Sequence, residues 1–323
     1  MIYKAVRIAL LFLVCDAAFG QSVADPLVFL NRMATAAQTL NYSGTFVFQV
    51  GSHSESSRIV HAADGSGETE RLEVLDGSPR QIVRDKNEVR CYLPDEKRVL
   101  IDKRALRGVF PALIDANAHA LSNYYVLRRG EIERVAGYAA QAITLEPRDS
   151  WRYARRLWAT VDGGLIVKAQ TLDAHDRLLE QFSFTQLSIG DTALKEAAQA
   201  MSSSVTSDWK VENLSAAELP VSDPGWRLRV QPPGFVKTLA MQRRLRDGGP
   251  WVLHWVFSDG LAAVSVFIAP LGEQDPLPRS GASAQGAINV FTRQLAGSAI
   301  TVLGEVPPTT VRQIAEGVEY RKP

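Results

Sequence analysis

Five histidines, His53, His61, His119, His175 and His254, are the side chains best suited to hold a metal or relay a proton, and none stands four positions from another. No H-E-x-x-H run occurs, and no serine occupies a G-x-S-x-G elbow. Two cysteines cannot build a disulfide framework or a cysteine-rich zinc site. In Val89-Arg90-Cys91-Tyr92-Leu93 strand alternation puts Cys91 on a face with Val89 and Leu93, and no histidine or lysine adjoins it, so it reads as a buried, inert thiol. Gly65-Ser66-Gly67 and Asp162-Gly163-Gly164 fall at hairpin positions and read as turns rather than phosphate cradles. The expectation is a protein without catalytic residues, cofactor or metal.

Two patterns speak for binding instead. Phe46 and Phe48 share a strand face, Phe182 and Phe184 share another with Leu178, and Trp158 ends a third strand. Alternation could aim these rings into one concave apolar interior, though an ordinary filled core gives the same pattern. The arginines Arg152, Arg155 and Arg156, set among Trp151, Tyr153 and Trp158, suit a phosphate or carboxylate ligand, or else cross-strand pairing with Asp and Glu. The run Arg243-Arg244-Leu245-Arg246 reads as a solvated face.

The elements that must position these residues follow from periodicity. Residues 25–40 have a helical apolar period, with Asp25 as N-cap and Pro26 at the first helical position. From Tyr42 the period becomes two. Short strands are expected at 42–50, 57–62, 68–75, 79–84, 88–93 and 97–102, broken by turns such as Asp76-Gly77-Ser78-Pro79. A helix is expected at 111–121, then strands at 123–128, 131–135, 138–146, 152–160, 164–173 and 177–189. Connections this short require antiparallel neighbours, and about a dozen such strands imply a strongly curved sheet or incomplete barrel covered by the two helices. Residues 191–224, rich in Ala and Ser and then in Pro, read as a linker. Beyond it lie strands at 226–230, 235–240, 251–257, 261–268, 300–306 and 317–321, with helices at 282–296 and 308–315.

The 323 residues suit two domains. With 36 Lys+Arg against 35 Asp+Glu there is no basic excess for nucleic acid. Lys4 and Arg7 precede the apolar run Ile8 to Cys15, and Ala18-Phe19-Gly20 supplies a small-x-small site, the pattern of a secretory signal peptide cleaved after Gly20. The apolar run is too short to span a bilayer, and bulky Val14 before Cys15 argues against lipid attachment there. Loss of Lys4, Arg7 and Asp16 leaves 34 basic and 34 acidic residues.

Ordered blocks along the chain then carry a resemblance. Tyr42-Ser43-Gly44-Thr45-Phe46-Val47-Phe48, Glu70-Arg71-Leu72, Leu75-Asp76-Gly77, Arg152-Tyr153, Arg156-Leu157-Trp158 and Glu180-Gln181-Phe182 belong to the first half. Ser258-Asp259-Gly260-Leu261-Ala262, Val264-Ser265-Val266-Phe267-Ile268, Gly286-Ala287-Ile288-Asn289 and Thr301 to Pro307 belong to the second. Together they resemble the periplasmic sigma-E regulatory protein family, RseB/MucB, departing at Ala154 and Arg155 where a glycine and an aromatic would stand.

The resemblance implies an α+β fold: an unclosed antiparallel β-barrel similar to LolA and LolB over 21–190, a linker over 191–224, and a smaller α+β domain over 225–323. It implies a non-catalytic negative regulator that binds the periplasmic region of a membrane anti-sigma factor, shields it from proteolysis, and is released by an envelope-stress signal. Lipopolysaccharide or lipoprotein acyl chains are the candidate ligands, with a homodimer left open. On this reading Phe46, Phe48, Trp158, Phe182 and Phe184 receive an acyl chain, Arg152, Arg155 and Arg156 its anionic group, and Leu261, Val264, Val266 and Ile268 the partner. A lipoprotein carrier of the LolA/LolB type is the alternative.

Overall fold

The computed structural model describes residues 25–64, 67–85, 88–102, 114, 118–190, 208–214, 216–218, 225–245, 248–272 and 280–321. Helix α1 (Pro26–Thr39) starts where expected: the Asp25 carboxylate accepts from Leu27 N–H at 2.9 Å, and Pro26 fills the first turn. Its apolar stripe, including Leu30, Met33 and Ala37, is buried. Of the helix expected over 111–121, Ala118–Leu121 is helical (α2), Ile114 is buried, and the other positions lie outside the described residues.

Twelve strands follow in the first sheet. These are β1 (Tyr42–Val50), β2 (His53–Asp64), β3 (Gly67–Val74), β4 (Gln81–Asp85), β5 (Glu88–Leu93), β6 (Arg98–Asp102), β7 (Tyr125–Val135), β8 (Tyr138–Pro147), β9 (Ala154–Thr160), β10 (Ile166–Leu172), β11 (Leu178–Ile189) and β12 (Lys210–Leu214). Their order is β12-β6-β5-β4-β3-β2-β1-β11-β10-β9-β8-β7, with β12 and β7 at the edges. All pairings are antiparallel except β12 on β6. The strands expected at 123–128 and 131–135 are one strand, β7, with a bulge between Arg129 and Ile132 that produced the apparent break. Its core gathers α1, Ile114, Leu121 and the rows Ile143, Leu157, Ala169 and Phe182.

The second sheet has the order β13-β15-β16-β17-β20-β19-β18. Its strands are β13 (Ala216–Glu218), β15 (Val236–Arg243), β16 (Val252–Ser258), β17 (Ala263–Pro270), β18 (Gly281–Gln285), β19 (Ile288–Leu295) and β20 (Ser298–Gly304). β14 (Trp226–Leu228) pairs separately with β21 (Val318–Tyr320), and helix α3 (Pro308–Gly317) buries Val311, Ile314 and Ala315 against this unit.

Two expectations are corrected. Residues 282–296 are a hairpin, not a helix: Gly286 (φ +60°) turns β18 into β19, and Ile288, Val290 and Thr292 alternate as β-branched residues do. The segment 191–224 is more than a linker, because β12 extends the first sheet and β13, one residue later, joins the second. Trp209 packs edge-on against Tyr92 at 6.5 Å, and Glu212 pairs with Arg98 and Lys210, so this stretch had side chains to anchor it.

Candidate functional site

Two of the three arginines, Arg152 and Arg155, meet carboxylates across the seam between the two units. Arg152, just ahead of β9, and Asp259, in the β16–β17 turn, both have fully buried side chains, and the guanidinium donates to Asp259 Oδ2 at 2.6 Å. Tyr125 Oη donates to the same oxygen at 2.9 Å, while Oδ1 accepts from Leu261 N–H at 2.9 Å and Ala262 N–H at 2.7 Å. Arg152 also donates through Nε to Asp149 at 3.1 Å and through Nη2 to the Pro233 carbonyl. Its charge centre lies 4.9, 5.4 and 4.9 Å from the ring centroids of Tyr124, Tyr125 and Phe235. Burial, then the Asp259 charge, pushes the Tyr125 hydroxyl up, so it stays a donor.

Arg155 forms the second contact. On β9 it meets Thr171 and Glu180 of its own sheet and Glu305 of the other unit. Burial, then the Glu305 charge, raises the Glu180 carboxyl above the usual carboxylate range. Glu180 Oε2 also accepts from Ala287 N–H at 3.3 Å, at the tip of the β18–β19 hairpin. Asn289 donates to Tyr153 Oη at 3.0 Å, Thr310 to the Trp151 carbonyl at 3.0 Å, and Arg243 pairs with Asp102 at 2.5 Å. Arg152 and Arg155 are therefore occupied by carboxylates of this chain rather than held open for a ligand, which corrects their assignment as an anion grip. Arg156, half-buried, faces away from Arg155 along the strand.

The aromatic candidates divide. Phe46, Phe182 and Phe184 form an edge-to-face triad with centroids 5.8–6.2 Å apart, in the same core as Phe29, Leu30 and Met33 of α1. Phe48 pairs with Phe182 in register and is 39% exposed. Trp158 is buried in the same core but makes no ring contact with the triad: it is the register partner of Lys168, which pairs with Ser183, and the Lys168 ammonium lies 4.1 Å from its ring centroid. A bulge between Ile166 and Lys168, invisible in the sequence pattern, sits beside this pairing. On the Phe46 face the register runs on through Ile59, Leu72, Ile82, Cys91 and Leu100. The last four are only half-buried, Cys91 among them, and burial pushes its thiol up.

The same face carries a polar row that the sequence reading missed: Tyr42, His61, Glu70 and Arg84 are successive register partners across β1 to β4. Tyr42 stacks on His61 at 4.9 Å, and Arg84 lies 3.3 Å from Glu70. Burial outweighs the Arg84 charge and pushes Glu70 up to about 7. On the other face, a groove of about 680 Å³ is lined by Arg58, Arg71, Glu73 and neighbours.

The partner candidates are corrected too. Val264 and Val266 are 0% and Ile268 4% exposed, all in the second core, and Leu261 packs against the core of the first unit. Among the described residues no three His, Cys, Asp or Glu side chains are grouped to hold a metal.

The fold and seam define a class: a β-rich protein of two units whose buried charges fix one unit on the other. The chain matches the MucB/RseB N-terminal domain over residues 25–206 and the MucB/RseB C-terminal domain over 220–319, and it belongs to the MucB/RseB family. It is 31% identical over 306 residues to the sigma factor AlgU regulatory protein MucB of Pseudomonas aeruginosa, covering 90% of each chain. To the sigma-E factor regulatory protein RseB of Haemophilus influenzae it is 27% identical over 307 residues, again covering 90% of each. It superposes on MucB in the solved Pseudomonas aeruginosa MucA/MucB complex with a TM-score of 0.71 at 30% identity, covering 93% of this chain and 100% of that one. Against a crystal structure of MucB the TM-score is 0.67 at 28% identity, covering 93% of this chain and 99% of that one.

Proposed function

We propose that this protein is a non-catalytic periplasmic negative regulator of a sigma-E-type envelope-stress response. In this role it binds the periplasmic region of a membrane-anchored anti-sigma factor and shields it from regulated proteolysis. The observation that carries the reading is the match of both domain models, in order, to a chain whose two units are joined by buried ion pairs. Likeness to MucB of the MucA/MucB complex over 93% of this chain supports the reading. The exported state rests on the signal-peptide pattern before Gln21.

We further infer that residues 21–190 form a half-barrel sensor for an acyl chain, with 225–323 supplying much of the partner surface. Phe46, Phe182 and Phe184 share one buried core with Phe29, Leu30 and Met33 of α1, so a chain reaching them must rearrange that core. Exposed Phe48 and the half-buried row Leu72, Ile82, Cys91 and Leu100 give it an entry on the same face. Each buried CH₂ contributes about 0.8 kcal/mol, so a few ordered methylenes suffice. The seam between the units argues against a simple lipoprotein carrier, which needs no second unit.

Calorimetric titration of the mature chain with a soluble periplasmic fragment of the anti-sigma factor tests the reading. Saturable binding is expected, weakened by a monomeric lysophospholipid, and the fragment should weaken lipid binding by the same factor. Absence of binding would overturn the regulatory assignment.

A further inference from the structure

Among the described residues no strand pairs with the outer side of β18, which ends the second sheet. Its residues, Gly281, Ala282, Ser283, Ala284 and Gln285, are all exposed, and none is charged. β18 enters β19 through the two-residue turn Gly286-Ala287, with Gln285 opposite Ile288. In such a hairpin the pair flanking the turn exchanges both of its hydrogen bonds, and the next pair exchanges none. The backbone groups of Gln285 and Ser283 therefore point at β19, and those of Ala284 and Ala282 point away from the sheet. Among the described residues nothing accepts or donates to them.

Among the described residues the other edges of the two large sheets are guarded. β7 carries Arg128, Arg129, Glu131, Glu133 and Arg134 and is bulged. β12 carries Lys210 and Glu212, and β13 has only three residues. Charges, bulges and shortness are the means by which edge strands avoid pairing with another chain. β18 has none of the first two.

We propose that β18 is a strand-addition site for an extended stretch of the anti-sigma factor's periplasmic segment, a proposal that rests on the function assigned above. Three observations favour a peptide over a second copy of this chain. Five residues span only about 17 Å, and pairing two such flat strands falls well short of the roughly 800 Å² per partner that a specific dimer needs. A peptide can continue past the strand, and β18 leads at Gly286 onto the first unit. A Cβ at Gly286 would lie 2.7 Å from Val50 Cγ1, and exposed Phe48 stands two residues from Val50 on the same face of β1. At the other side Ala282 is the register partner of Phe291, over which the Arg312 guanidinium lies at 5.5 Å without a carboxylate partner among the described residues. The matching segment is extended, with an acidic side chain for Arg312 and an apolar one toward Phe48.

Ala284→Pro removes an outward N–H while leaving the inward pairing with β19, the placement at which an edge strand tolerates proline. A Ser283→Lys/Ala284→Lys double variant adds the missing guard without touching the backbone. Anisotropy titration of the full mature chain with a labelled soluble anti-sigma fragment should show binding weakened by about tenfold or more in both variants. Thermal melts should match wild type, and hydrogen exchange at Ala282 and Ala284 should slow in the wild-type complex. Wild-type affinity in both variants, or unchanged exchange at those two amides, would overturn the proposal. So would a wild-type dimer in sedimentation that Ala284→Pro makes monomeric, since the edge would then belong to a second copy. A wild-type chain that binds no fragment refutes the regulatory reading itself, and this proposal with it.

Discussion

Replacing Asp259 with Asn should destabilise the protein strongly although the change is isosteric. Asn keeps an oxygen for the Leu261 and Ala262 N–H groups, so the β16–β17 turn survives, but the charge facing Arg152 is gone. Arg152 would retain only Asp149, whose side chain is 25% exposed, as a carboxylate partner, with three aromatic rings excluding water from its charge. Removing one member of a buried ion pair costs about 3–5 kcal/mol, and the surviving Asp149 contact puts this site near 3. Urea unfolding followed by tryptophan fluorescence measures the loss. A double-mutant cycle with Arg152→Met and Asp259→Leu isolates the coupling, and the apolar double variant should recover much of what each single change loses. A cost below about 1 kcal/mol for Asp259→Asn would refute the claim that this pair holds the units together.

Two buried groups should give opposite pH dependences. Glu70, raised from 4.5 to about 7, opposes folding once ionised, so the stability of Glu70→Gln relative to wild type should rise between pH 4.5 and 7 by up to about 3 kcal/mol; a pH-independent difference would contradict this. His254, lowered from 6.5 to about 4 by burial and then by Arg243, opposes folding when protonated. Wild type should therefore lose up to about 3 kcal/mol as pH falls from 6.5 to 4, and in His254→Gln acid melts should show that part of the slope gone. Phe182→Ala should cost about 3–5 kcal/mol through a core cavity, whereas Phe48→Asp, at an exposed position, should change stability by about 0.5 kcal/mol or less yet weaken lysophospholipid binding roughly tenfold in a titration below the micelle threshold.

Local signals were readable because they are self-contained. Asp25-Pro26 started α1, and Asp-Gly turns with alternating β-branched residues marked most strands of the first sheet. The 282–296 segment misled because Ala287, Val290 and Phe291 imitate a helical stripe, and only Gly286 carried the turn. The seam was illegible for a different reason: Arg152 and Asp259 are 107 positions apart and Arg155 and Glu305 are 150 apart, so neither pair leaves a local period. Clustered arginines beside aromatics suited either an anionic ligand or pairing with carboxylates of the chain; Arg152 and Arg155 take the second course, with partners that include Asp259 and Glu305, too distant in sequence to be named from it. Burial of Val264, Val266 and Ile268 was equally beyond reach, since an apolar strand looks alike whether it faces a core or a partner.

The central claim is that this chain protects an anti-sigma factor by binding it. The most direct test is the rate at which the regulatory protease cleaves the purified periplasmic segment as the mature chain is titrated in. Cleavage should fall to a floor at the concentration where binding saturates. An unchanged rate at saturating concentration would contradict the account.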